Sequence, residues 1–124
     1  MSSTWTETAR VLRERGEEIG PFLLAIPRAC VEVVVASGTA AVWPPLPSTV
    51  CVSGAVVRCP APTVHAASGL PPVSGRLWAI PPVPGHPENV TDADALAEAV
   101  GAALLRRAHW TRARLNAHAK EPQP

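Results

Sequence analysis

The chain has 124 residues, which by size is one domain with one modest core. Hydrophobic residues make up 47% and charged residues 17%, a balance that excludes a globally disordered chain. Eleven Lys and Arg stand against ten Asp and Glu, and a net charge of +1 excludes a molecule-wide field that steers nucleic acid or membrane.

The first element is a helix. Thr4-Trp5-Thr6-Glu7 has the form of a capping box, in which hydroxyl and carboxylate satisfy each other's backbone amides. Trp5, Thr8, Ala9 and Leu12 then share a face, with Arg10, Arg13 and Glu14 opposite. Gly16 is a natural C-cap, and Gly20-Pro21 closes the connection.

The middle of the chain is of another kind. From Val33 to Pro87 there are two charged residues, Arg58 and Arg76, and eleven of the fifteen prolines. So many prolines forbid a long helix, and the Val, Ala, Leu and Trp content is too apolar for a solvated linker. Short strands separated by proline turns are predicted: residues 22–26, 30–36 and 76–80, with a hairpin of 49–52 and 55–59 about Ser53-Gly54. Residues 40–43 form a short helical turn cut off by Pro44-Pro45. The 60–75 loop is long for a compact domain.

The last element is a second helix, capped by Thr91, with Asp92, Asp94 and Glu98 early and Arg106, Arg107, Arg112 and Arg114 late, both in accord with the dipole. Leu96, Val100, Ala103 and Leu104 make an apolar stripe that Arg107 and Arg114 interrupt. The first half is therefore expected to pack and the second to run past the body. Gly101 weakens the helix, and a strand passing close by would account for it. Residues 121–124 are expected to be a disordered tail.

No apolar run is long enough to span a bilayer, and the polar start is not a signal peptide. Three cysteines, Cys30, Cys51 and Cys59, with no compact spacing point to a reduced, cytoplasmic chain. The Ala, Pro, Val and Arg usage suggests a bacterial high-GC genome, and also fits a reading frame with no selected function.

Chemistry-bearing groups are sparse. Cys51, Cys59, His65 and His86 lack the short ligand spacing of a zinc site, and the hairpin register sends the two sulfurs to opposite faces. The cysteines read as small buried hydrophobes, inert as nucleophiles. Asp92-Ala93-Asp94 reads as dipole-serving acids at a helix start. The cluster Arg106, Arg107, His109, Trp110, Arg112, Arg114 and His118 allows two readings: a solvated half-helix with its Trp folded back, or a surface that follows phosphates and stacks on a base.

One segment carries a family resemblance. Val56-Val57-Arg58-Cys59-Pro60-Ala61-Pro62-Thr63-Val64-His65, then Ser68-Gly69 and Gly75-Arg76-Leu77-Trp78, resembles part of the primase–polymerase domain. The resemblance matches Thr63 and His65 to that family's Ser/Thr-x-His motif and implies that His65 meets the phosphates of a nucleotide. The family's paired metal-binding acids precede the motif on a strand, whereas this chain has one acid, Glu32, between Gly20 and His65. The resemblance thus implies a non-catalytic, degenerate relative.

These readings combine into one α+β domain over residues 1–120. A small, mostly antiparallel sheet over about residues 22–80 is flanked by an N-terminal and a longer C-terminal helix. The expected role is a non-catalytic binding or accessory protein. Nucleic-acid contacts fall to Arg106, Arg107, Trp110, Arg112 and Arg114, and nucleotide contacts, in the alternative, to Thr63 and His65. No catalytic residue, metal or cofactor is expected. The expected partners are nucleic acid or a protein, a second copy of the chain included, and no membrane.

Overall fold

The computed structural model describes residues 3–53 and 59–119. Helix α1 spans Ser3–Glu14. Strand β1 (Phe22–Ala25) is followed by a 3-10 turn at Ile26–Arg28 and by strand β2 (Cys30–Val33). A second 3-10 turn at Thr39–Ala41 stands where the helical turn was expected. Strand β3 (Arg76–Ile80) and helix α2 (Ala93–Ala119) complete the order. The strands form one antiparallel sheet in the order β2-β1-β3, so the architecture is α+β, with a short helix before the sheet and a long one after it.

Local chemistry explains the boundaries. Helix α1 ends in a Schellman motif: Glu17 N–H donates to Leu12 O at 2.9 Å and Gly16 N–H to Arg13 O at 3.1 Å, with Gly16 at φ 73°. Pro27 stops β1, and Ala29 at φ 49° turns the chain back into β2. Strand β2 is shorter than the predicted 30–36. Its partner β1 begins just after Pro21, which has no N–H to extend the ladder, and Val34 N–H reaches only the Pro21 carbonyl.

The register divides the sheet. Leu23 stands opposite Glu32 and Trp78, and Ala25 opposite Cys30 and Arg76, so these six share one face. Leu23, Ala25 and Trp78 are buried there. Arg76 reaches across β1 to grip Glu32 with two bonds, Nε to Oε1 at 2.5 Å and Nη2 to Oε2 at 3.1 Å. Its guanidinium pKa lies above the ordinary Arg value, chiefly through that bond, against an opposing desolvation. On the other side of β1, Phe22 meets Trp5 of α1 with ring centroids 4.8 Å apart in a tilted pair.

The core lies where the helices cross. Val11 and Leu12 of α1 pack on Leu96, Ala99 and Val100 of α2, and Val33, Val35, Trp43 and Leu46 close around them. The helices run antiparallel, with Arg107 donating to the Thr4 hydroxyl near one end and Arg15 meeting Glu98 at 3.7 Å near the other.

Four expectations are corrected. Thr4 and Glu7 do not form a capping box: Thr4 lies inside α1, and Glu7 is buried with its carboxylate held by Arg10 and Arg106. Thr91 is not the cap of α2. Asp92 is, since its Oδ2 accepts the Ala95 amide at 2.9 Å and its carbonyl accepts that of Leu96. Residues 49–52 are not a strand. The Thr49 hydroxyl accepts from the Trp43 indole and donates to Leu46 O, which closes the proline-rich run into a turn. Residues 55–58, the expected hairpin partner, and the 121–124 tail lie outside the described residues. No described strand approaches Gly101, because a Cβ placed there would have nothing within 4 Å among the described residues.

Candidate functional site

Helix α2 has 27 residues and α1 has 12, so α2 is more than twice as long and the two cannot match end to end. Past the contact with Thr4, every residue from 107 to 116 is exposed. This overhang holds Arg107, Arg112 and Arg114, and no acid occurs between Glu98 and Glu121 to neutralise them. Among the described residues none of these three arginines has an ion-pair partner within 4.0 Å. Trp110 is 54% exposed and does not fold back onto the body.

The helical repeat sorts these side chains. Arg107, Trp110 and Arg114 follow one another at steps of three and four, on the prolongation of the Leu96, Val100 and Ala103 face. Arg112 points to the opposite side of the helix. A shallow groove of about 440 Å³ runs between, lined by Leu104, Arg107, Ala108, Thr111, Arg112 and Leu115. His109 is exposed nearby, and the His118 side chain lies outside the described ones.

Arg106 does not belong with them. Its Nη1 donates to Glu7 Oε1 at 2.9 Å and its Nη2 to Glu14 Oε2 at 3.1 Å. These bonds, Glu7 first, raise its pKa above the ordinary Arg value. Glu7 and Glu14 are seven apart on α1, hence on one face, where one guanidinium reaches both.

Thr63 and His65 stand elsewhere, beside β3. Trp78 N–H donates to Val64 O and Ala66 N–H to Trp78 O, both at 2.9 Å, so His65 forms a parallel bridge with Trp78. The Trp78 indole donates to Pro60 O, also at 2.9 Å. The long 60–75 loop is thereby stitched to the sheet edge, which alternating hydrophobicity did not reveal. Thr63 is exposed and His65 half-buried. His65 Nδ1 accepts the Ala67 amide at 3.3 Å, which leaves the proton of the neutral ring on Nε2. Ser68 Oγ donates to His65 O at 2.8 Å and holds the turn. Glu32, the acid upstream of this motif, is engaged by Arg76.

The remaining features are spread out. A cleft of about 350 Å³ has Pro21, Val34, Trp78, Pro82, His86 and Val90 among its walls. All three cysteines are free thiols; Cys30 and Cys51 are half-buried and Cys59 is exposed, so the expected full burial does not hold. Among the described residues no three His, Cys, Asp or Glu side chains gather in a way that could hold a metal ion. No described helix is long and apolar enough to cross a membrane. The chain matches no family model, no curated protein and no solved structure.

Proposed function

We propose that this chain is a small non-catalytic binding protein that holds nucleic acid along the overhanging half of α2. Arg107 and Arg114 meet phosphates, Trp110 between them stacks on a base, and Arg112 adds charge from the far side of the helix. The observation that carries this reading is an exposed Trp set among three arginines that have no ion-pair partner among the described residues, on a helix segment exposed from residue 107 to 116. Phosphate attraction and base stacking are the two ingredients of sequence-tolerant single-strand binding. Arg106 leaves the set, because the carboxylates of Glu7 and Glu14 neutralise it, whereas Arg107 meets only the uncharged Thr4 hydroxyl of α1. Three free thiols fit a reducing, cytoplasmic setting.

The test is retention of a labelled single-stranded oligonucleotide over a salt series. Binding that weakens with salt and is lost in an Arg107→Glu, Arg114→Glu double variant is the expected result. No retention by the unaltered protein at low salt removes the proposal.

A second reading, nucleotide binding of the primase–polymerase kind at Thr63 and His65, draws on the ordered turn that leaves the His65 Nε2–H as a donor. Metal-dependent nucleotide binding that His65→Ala abolishes would favour it over the first. Equal binding by both proteins would exclude it.

A further inference from the structure

The side of α2 facing away from the body has a pattern of its own. Asp94, Glu98, Gly101, Leu105, Ala108, Arg112 and Leu115 follow at alternating steps of four and three, so they form one straight stripe. Leu105 is 65% and Leu115 67% exposed, so the stripe presents apolar side chains at its middle and near its end. The small residues Gly101 and Ala108 lie two turns apart, and a Cβ on Gly101 would meet nothing within 4 Å. The side chains therefore leave room for a second helix to approach closely. Charge is ordered along the stripe: acids at its start, Leu105 at its middle, Arg112 towards its end.

We infer that this stripe is the contact between two copies of the chain, with their α2 helices antiparallel about Leu105. Reversing one copy places Glu98 against the second copy's Arg112 on either side of the centre and sets Leu105 on the twofold axis against itself, with Asp94 beside the second copy's Leu115 at each outer end. Gly101 then faces the second copy's Ala108, where two small residues permit close packing. The parallel arrangement would oppose Glu98 to Glu98 and Arg112 to Arg112, which disfavours it. A single patch that complements itself under a twofold axis is the requirement for an isologous dimer. From Asp94 to Leu115 the overlap is about 33 Å of helix. The pairing of Glu98 with Arg15 does not compete strongly. It spans 3.7 Å with the Glu98 side chain 75% exposed, a weak surface pair. Arg107, Trp110 and Arg114 lie on the opposite side, so the dimer contact shares only Arg112 with the nucleic-acid proposal and leaves its stacking Trp110 and its two phosphate-facing arginines uncovered.

The test is the mass of nuclease-treated protein by sedimentation equilibrium, which removes bridging by nucleic acid. The unaltered chain is expected at twice the monomer mass. Arg112→Glu and Leu105→Lys are each expected at monomer mass with unchanged helical circular dichroism. The Glu98→Arg, Arg112→Glu double variant is expected to return to the dimer, which no loss of folding could mimic. A monomeric unaltered chain, or a dimer that survives both single variants, overturns the inference.

Discussion

The Gly20 amide donates to the Thr91 hydroxyl at 2.9 Å, across 71 positions of chain. That bond ties the segment between α1 and β1 to the residue before the Asp92 cap of α2. Thr91 is buried, and Gly20 is so close that a Cβ there would stand 2.7 Å from the Thr91 backbone nitrogen. Thr91 was expected to cap its own helix. It acts instead as a clasp between the two ends of the fold.

Two variants probe the clasp. Thr91→Val keeps the shape and removes the acceptor, leaving the Gly20 amide without its partner at a cost of about 1–3 kcal/mol. Gly20→Ala forces backbone apart and is expected to cost roughly 1–3 kcal/mol. Urea unfolding should show both as a lower midpoint with an unchanged slope. A midpoint equal to that of the unaltered protein would show that the clasp contributes nothing.

Asp92→Ala should destabilise the protein by about 1 kcal/mol, the usual value of an N-cap side chain. Asp94→Ala, two residues later and without a capping bond among the described contacts, should cost less. Thermal unfolding of the two variants side by side distinguishes capping from a general effect of acids near the helix start.

Arg106 and Arg112 should behave oppositely. Arg106→Ala leaves the buried carboxylate of Glu7 without its inter-helix partner, so it should lower the urea midpoint more than Arg112→Ala, whose side chain is exposed. The sign with pH follows from the raised Arg106 pKa. Its contribution is full below the ordinary Arg value and is lost only above the raised one. Alkaline titration short of that range should therefore leave the difference between Arg106→Ala and the unaltered protein unchanged.

Trp110→Ala should weaken single-strand binding by about 1–3 kcal/mol if one base stacks on the indole. Arg114→Ala should instead reduce the slope of log K against log salt by about one phosphate contact. A Trp110 variant that binds as tightly as the unaltered chain would confine the interaction to phosphates.

Much of the fold was legible from residue order. In the proline-rich, nearly uncharged stretch from Val33 to Pro87, β3 stands at the residues predicted for it, while the strand predicted at 49–52 does not form. Gly16 ended α1 as its freedom at positive φ requires. The split of acids and bases along α2, and arginines falling in its apolar stripe, marked where the helix would leave the body. These properties are local: they depend on what a residue does to its own backbone and to neighbours within a turn.

Assignments that needed a distant partner were not legible. Sequence placed Arg106 with Arg107 and Arg112 as one basic patch. Only the crossing of α1 over α2 brought Glu7 and Glu14 to it and tied up its guanidinium in ion pairs. Thr91 and Asp92 are both acceptable caps by residue type, and in the fold Thr91 receives the Gly20 amide while Asp92 caps the helix. The 49–52 run has strand composition, yet without a described partner strand its Thr49 turned to Leu46 and Trp43. A hydrogen bond or ion pair has two ends, and where the second lies far along the chain, folding alone determines which group receives it.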